Sequence, residues 1–223
     1  MTEPLFCIIP AYNAGATLAG VVDGVRRVLP KATIVIIDDG SADDTGVVAA
    51  RVADHAVHFE RNRGKGAALR AGFADALASG AAAVLTIDAD GQHDVTFAPQ
   101  LVAALSDVDI VIGARARAGS MPIQRRMSNA LSTFAVNLLA GCDVGDSQSG
   151  YRAIRRAVLE AVKADGDRYE YETDFLIKAR RAGFQIGCVR VPTIYGGTSH
   201  FRTLHDAARV VRTLWRLRMG ARS

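Results

Sequence analysis

Thr33-Ile34-Val35-Ile36-Ile37-Asp38-Asp39-Gly40-Ser41 runs from β-branched residues into two carboxylates and a Gly-Ser turn. An almost continuous apolar run that stops at turn formers is the pattern of a strand covered on both faces, as in a parallel sheet. Comparable runs occur at Phe6–Ile9, Ala56–Phe59, Ala83–Ile87 and Ile110–Ile112. Between them, Leu18–Val28, Thr45–Val52, Lys65–Ala78 and Thr96–Leu105 place apolar residues at helical spacing. The alternation predicts an α/β protein with a mostly parallel central sheet and helices on both faces.

After Gly113 the pattern changes. Gly119–Pro122 reads as a turn, Met127–Ala140 as a long amphipathic helix and Asp143–Gly150 as a polar loop. Helices are expected at Arg155–Val162 and Thr173–Ala182, with a last strand at Ile186–Val191 before a Gly-Gly turn. No repeat or linker interrupts the chain. We therefore expect one domain, 1–201, with a binding half (1–113) and an adapting half (114–201), and then a basic segment, 202–223.

The chain has 223 residues and is 49% hydrophobic, enough for a sizeable core, which excludes disordered and disulfide-scaffold classes. Its formal charge of +4 is unevenly placed, because the last 22 residues hold six arginines against the single acid Asp206. His205, Arg209, Arg212 and Arg216 share one helical face, and Leu204, Ala208, Val211 and Trp215 a neighbouring one. Two readings of this helix are open: docking on the domain, or lying on an anionic membrane surface. Cys7, Cys142 and Cys188 lack CxxC spacing, as expected of free thiols in a reducing compartment. With no signal-peptide pattern and no apolar run of about 18 residues, a cytoplasmic location is expected, at the inner face of the membrane if the tail binds lipid. A nucleic-acid reading of the arginines finds no recognition motif or aromatic platform, and nothing in the sequence sets an oligomeric state.

In open α/β sheets, ligands gather beyond the carboxyl ends of the strands. There the sequence places Pro10-Ala11-Tyr12-Asn13, then Asp38-Asp39-Gly40-Ser41 with Asp43 and Asp44, then Asp88-Ala89-Asp90-Gly91-Gln92. Ser41, Asp43 and Asp44 read as caps and turn formers. Asp38 and Asp39 repel one another at the end of a buried strand, and a ribose hydroxyl or base N–H would partner one of them. Asp88, Asp90 and Gln92 alternate, so an extended backbone would aim three oxygens at one hard cation. An EF-hand is excluded, because its sixth position would be His93 and its twelfth Pro99. Either a partial Mg²⁺ or Mn²⁺ site completed by phosphate oxygens or a solvated acidic loop remains. Arg61-Asn62-Arg63-Gly64-Lys65-Gly66 is not a Walker loop, but its glycines and Lys65 at a helix start suit an anion, the alternative being a flexible basic turn.

Four motifs in this order, Ile9–Asn13, Ile37–Ser41, Asn62–Gly66 and Asp88–His93, resemble those of the family-2 glycosyltransferases, over Phe6 to about Phe201. Ser149-Gly150-Tyr151-Arg152-Ala153, the Glu172-to-Lys178 segment and Val191-Pro192 are similar to the dolichyl- and polyprenyl-phosphate sugar transferases among them. The resemblance implies a glycosyltransferase-A fold and inverting transfer of a hexose from a UDP- or GDP-sugar to a lipid-linked acceptor, a polyprenyl phosphate. It implies donor contacts at Pro10, Ala11, Tyr12, Asp38, Asp39, Arg63, Lys65, Asp88 and Ala89. Asp88, Asp90 and Gln92 would hold the divalent metal, with Asp90 at the chemistry. Arg117, Arg126, Ser149 and Arg152 would hold the acceptor's phosphate, which is already ionised and needs no base. An alternative is transfer to a non-lipid hydroxyl with Asp174 as base; against it stands helix capping by Thr173 with acidic first-turn residues. A non-catalytic nucleotide-sugar binder is the other alternative, which the intact Asp88, Asp90 and Gln92 oppose. Ala14-Gly15 departs from the family pattern, where two acidic residues are common, and so does Ser199-His200-Phe201, where Ser-Lys and a large apolar residue are usual.

Overall fold

The computed structural model describes residues 4–115, 137, 145–168 and 170–192. Its sheet is built from β1 (Leu5–Ala11), β2 (Thr33–Asp38), β3 (His55–His58), β4 (Ala83–Thr86), β5 (Ile110–Arg115), β6 (Arg152–Arg155) and β7 (Ile186–Val191). The spatial order is β3-β2-β1-β4-β6-β5-β7. Every neighbouring pair is parallel except those of β6, which runs antiparallel to both β4 and β5. Helices α1 (Gly15–Val28), α2 (Thr45–Val52) and α4 (Ala98–Ala103) cover one face, and α3 (Lys65–Ala78), α5 (Arg156–Ala161) and α6 (Glu170–Arg181) the other.

Strand alternation explains the two cores. Phe6 and Ile8 of β1 face Leu69 and Phe73 of α3 together with Phe175 of α6, whereas Cys7 and Ile9 face Leu18, Val22 and Val25 of α1. Burial pushes the Cys7 thiol up to about 12, so it acts as a small apolar side chain.

The strand β6 departs from expectation. The sequence pattern runs from a polar loop into a helix at Arg155, but Arg152–Arg155 pairs with a strand on each side. Four residues with arginine at both ends carry little strand propensity; the open slot between β4 and β5 decides their conformation. Thr96–Leu105 is also not one helix. Two single 3₁₀ turns, Val95–Phe97 and Ala104–Ser106, flank α4, whose start is set by Pro99 and whose approach is capped by Asp94 accepting from the Thr96 amide. α6 begins at Glu170, three residues before Thr173, which removes Thr173 from any capping position. The expected turn at Gly119–Pro122, most of the helix Met127–Ala140, Arg117, Arg126, Cys142, Ser199-His200-Phe201 and the basic helix 202–223 lie outside the described residues.

Candidate active site

The loops after β1 and β2 are tied to each other before any ligand is considered. The Asn13 amide donates to Ser41 Oγ at 2.9 Å, and the Ala42 amide to Asn13 Oδ1 at 2.9 Å. Asn13 adopts φ 50°, a conformation asparagine tolerates better than bulkier residues. The first amides of α1 find acceptors on the neighbouring loop: Ala14 donates to Thr45 Oγ1 at 2.8 Å, and Gly15 to Asp43 Oδ2 at 3.1 Å. A Cβ on Gly15 would stand 1.8 Å from Asp44 Oδ1, so any side chain there requires the exposed Asp44 side chain to move. Asp43 also accepts from the Thr45 amide at 3.0 Å, the capping role the sequence suggests.

Asp38 and Asp39, both buried, are partnered from within the chain. Asp38 Oδ1 accepts from the Ser41 amide and hydroxyl, and its Oδ2 meets His58 Nδ1 at 2.7 Å. Asp39 accepts from the amides of Arg63 at 2.7 Å and Gly64 at 2.8 Å, tying β2 to the start of α3. Burial raises the Asp39 pKa even against these two amides. A ribose or base is therefore not needed to partner the pair, and Asp39 keeps lone pairs that can face a ligand. Beside it, Pro10 and Ala11 end β1, and Tyr12 is 38% exposed.

Gly64, at φ 101°, turns the chain into α3 where a Cβ would lie 2.3 Å from the Asp167 carbonyl oxygen. Lys65 is the first residue of that helix. Its Nζ lies 2.7 Å from Asp88 Oδ1, beyond β4, and 3.2 Å from Glu172 Oε1 on α6. His93 Nε2 stands 3.5 Å from the other Asp88 oxygen. Burial opposes ionisation of Asp88, but the Lys65 ammonium and His93 outweigh it and hold the carboxyl well below the usual range. Asp90 shifts the other way, raised by burial and by the charge of Asp88.

The extended-strand argument for Asp88, Asp90 and Gln92 applies only in part. β4 ends at Thr86, and the backbone turns at Ala89–Asp90, with Gly91 at φ 71°. Within this turn Asp90 Oδ1 accepts from the Gln92 amide at 3.0 Å, and the Ala89 carbonyl accepts from Thr17 Oγ1 at 2.6 Å. Among the described residues, no group of three or more His, Cys, Asp or Glu is placed to hold a metal. The oxygen donors present are two carboxylates and a carboxamide. That set fits a hard cation which takes its remaining ligands from elsewhere.

Ser149, an expected acceptor contact, is fully buried and donates its hydroxyl to the Gly113 carbonyl at 2.7 Å. Arg152 is buried too. It donates to the carbonyls of Ser149 at 2.8 Å, Ser147 at 2.9 Å and Glu172 at 3.3 Å, and lies 3.8 Å from Glu172 Oε1. These two residues are thus engaged inside the protein. Arg115, at the end of β5, forms a two-toothed pair with Asp146 at 2.6 and 3.2 Å. Asp174 is completely buried, its Oδ2 accepting from the Asp165 amide at 2.6 Å and meeting Lys178 at 3.0 Å.

Sequence reasoning overlooked Glu172, His93 and Gly150 as members of this cluster. Thr86 Oγ1 holds the Gly150 carbonyl at 2.7 Å, and a Cβ on Gly150 would meet both Asp88 oxygens and Lys65 Nζ within 2.6 Å. No sequence signal marked Glu172, since Glu172-Thr173-Asp174 reads as a polar run and only the packing of α6 buries it.

Known proteins show the same pattern of sequence and shape. The profile of glycosyl transferase family 2 matches residues 6–163. A polyprenol monophosphomannose synthase of Mycolicibacterium smegmatis is 32% identical, over 87% of this chain and 78% of that one. A UDP-N-acetylglucosamine–dolichyl-phosphate N-acetylglucosaminyltransferase of Methanococcus voltae is 30% identical, over 86% of each chain. Glucosyl-3-phosphoglycerate synthase of Mycobacterium tuberculosis, solved with Mn²⁺, UDP and glucosyl-3-phosphoglycerate, shares the fold at a TM-score of 0.77 and 22% identity, over 97% of this chain and 80% of that one. With the mixed sheet, the helices on both faces and the acidic rim at the strand ends, these matches identify the chain as a glycosyltransferase that belongs to glycosyl transferase family 2.

Proposed function

We propose that the protein transfers a hexose from a UDP- or GDP-sugar to a polyprenyl phosphate, with inversion and with a divalent metal, Mg²⁺ or Mn²⁺. The observation that carries this reading is the part-buried Asp88-Ala89-Asp90-Gly91-Gln92 turn beyond β4, whose oxygens meet Lys65 at the ligand-binding rim, with the Asp90 pKa raised by burial and by the Asp88 charge. The names of the relatives, which act on polyprenol and dolichyl phosphates, support the acceptor class.

In this reading Pro10, Ala11, Tyr12 and Asp39 line the base and ribose pocket, with Asp38 holding the loop through Ser41 and His58. Asp88, Asp90 and Gln92 hold the metal. The bound ion supplies charge that stabilises the departing nucleoside diphosphate. Lys65 and Arg63 add charge at the same end, and Ala89 shapes the turn. Ser149 and Arg152 act as positioning residues, because the Ser149 hydroxyl and three of the Arg152 donors are given to backbone carbonyls. Arg117 and Arg126 are the proposed contacts to the acceptor phosphate. A phosphate monoester is already an oxyanion, so it attacks the anomeric carbon without a base. The burial of Asp174 and its pairing with Lys178 support this base-free route over transfer to a neutral hydroxyl.

Thermal melting of the full chain with UDP- and GDP-sugars, each with and without Mn²⁺, tests the reading. A rise in Tm that needs nucleotide and metal together, and is lost in Asp90→Ala, is the expected result. Failure of every pair to raise Tm would remove it. We also propose that the basic segment 202–223 reaches an anionic membrane. Among the described residues no helix is long and apolar enough to cross one. Loss of co-sedimentation with phosphatidylglycerol vesicles on deleting 202–223 is expected; equal sedimentation of both forms refutes the contact.

A further inference from the structure

Asp88 cannot give the same oxygen to a divalent ion while the Lys65 ammonium sits 2.7 Å from it. Two cations within bonding distance of one oxygen repel, and the interior screens that repulsion weakly. A second seat for the lysine lies beside the first. Glu172 Oε1 is 3.2 Å from Nζ, and Glu172 Oε2 is buried without a hydrogen-bond partner. The lysine is thus closer to Asp88, while the carboxylate on its other side retains unused acceptor capacity.

We propose that Lys65 stands in for the divalent ion at Asp88, and that Glu172 receives the ammonium when the ion binds. The inference rests on the metal-dependent reading above. The surroundings favour movement of this one side chain. Lys65 carries its charge on a flexible stem from the first turn of α3. Glu172 stays in place because Arg152 bonds its carbonyl at 3.3 Å and faces its carboxylate at 3.8 Å. The missing Cβ of Gly150 leaves room for the lysine at Asp88. Before the ion arrives, Lys65 offsets the repulsion between Asp88 and Asp90. An ion that takes Asp88 Oδ1 displaces it, so the metal alone binds weakly there and a donor diphosphate that attracts both cations strengthens it.

The test is Mn²⁺ titration of the full-length protein without nucleotide, followed by electron paramagnetic resonance, on wild type, Lys65→Gln, Glu172→Gln and Asp90→Ala. Circular dichroism confirms folding of each. Lys65→Gln is expected to tighten Mn²⁺ binding about tenfold or more, and Glu172→Gln to weaken it by a similar factor, the range for groups bonded to a metal ligand. Should Glu172→Gln not fold, Lys65→Arg serves instead, and it must bind Mn²⁺ no more tightly than wild type. Unchanged or weaker binding in Lys65→Gln, with Asp90→Ala still abolishing it, overturns the stand-in role alone. Absence of saturable Mn²⁺ binding in wild type and Lys65→Gln alike, in the presence of UDP as in its absence, overturns the metal reading itself and this inference with it.

Discussion

The carboxylates of this protein are handled in two ways, on opposite sides of β1. Around β2, Asp38, Asp39, Asp43 and Asp54 are answered mainly by amides and hydroxyls of nearby loops. Between β4 and α6, Asp88 and Glu172 are answered by ammonium and guanidinium groups from distant parts of the chain. The first region is a set of braced turns. The second is a charge network with acceptor capacity left over at Glu172 and Asp90. Turns hold a nucleotide pocket in shape, whereas an incompletely neutralised network has reason to bind another cation.

This contrast can be broken most severely at Arg152. Arg152→Met removes three carbonyl bonds and leaves Glu172 with less compensation in a buried site; a loss of about 3–5 kcal/mol is expected by urea unfolding. A loss below about 1 kcal/mol would show that water already reaches the cluster. Gly150→Ala is next. The added methyl collides with the movable ends of Asp88 and Lys65, so a loss of about 1–3 kcal/mol is expected, with weaker Mn²⁺ binding. The smallest effect belongs to the β2 side. Asp54 is opposed by burial, yet the Ile34 amide at 2.7 Å and Arg26 at 2.9 Å lower its pKa. A depressed carboxylate contributes stability above its unfolded value of 3.8 and loses it as pH falls from there through the folded value. Asp54→Asn should therefore cost less than about 1 kcal/mol at neutral pH, because the pair is part-exposed, and should flatten the acid limb of the unfolding profile below pH 4.

The two regions also differ in how far they could be read beforehand. Asp43 capping, the strand at Thr33 and the helices at Thr45 and Lys65 depend on neighbours a few residues away, and their boundaries follow from local pattern. The β6 strand could not be read that way, since Arg152-Ala153-Ile154-Arg155 becomes extended only by filling a slot between two strands formed elsewhere. Ser149 and Arg152 read as polar residues of one loop, whereas Arg152 opens a strand and both donate to backbone carbonyls inside the protein. Asp174 differs for the same reason, because α6 starts earlier and is buried along its first two turns.

From the sequence alone came the α/β class, the rim at the carboxyl ends of the strands and the acidic motifs gathered on it. These rest on hydrophobic periodicity and turn chemistry, both local properties of the chain. Tertiary structure alone decided which cation meets which carboxylate. Lys65, Asp88, Gly150 and Glu172 lie on four separate segments, and only the packing of α3 and α6 on the sheet makes them neighbours. Burial then makes that pairing matter, because a charge removed from water must find its partner inside the protein.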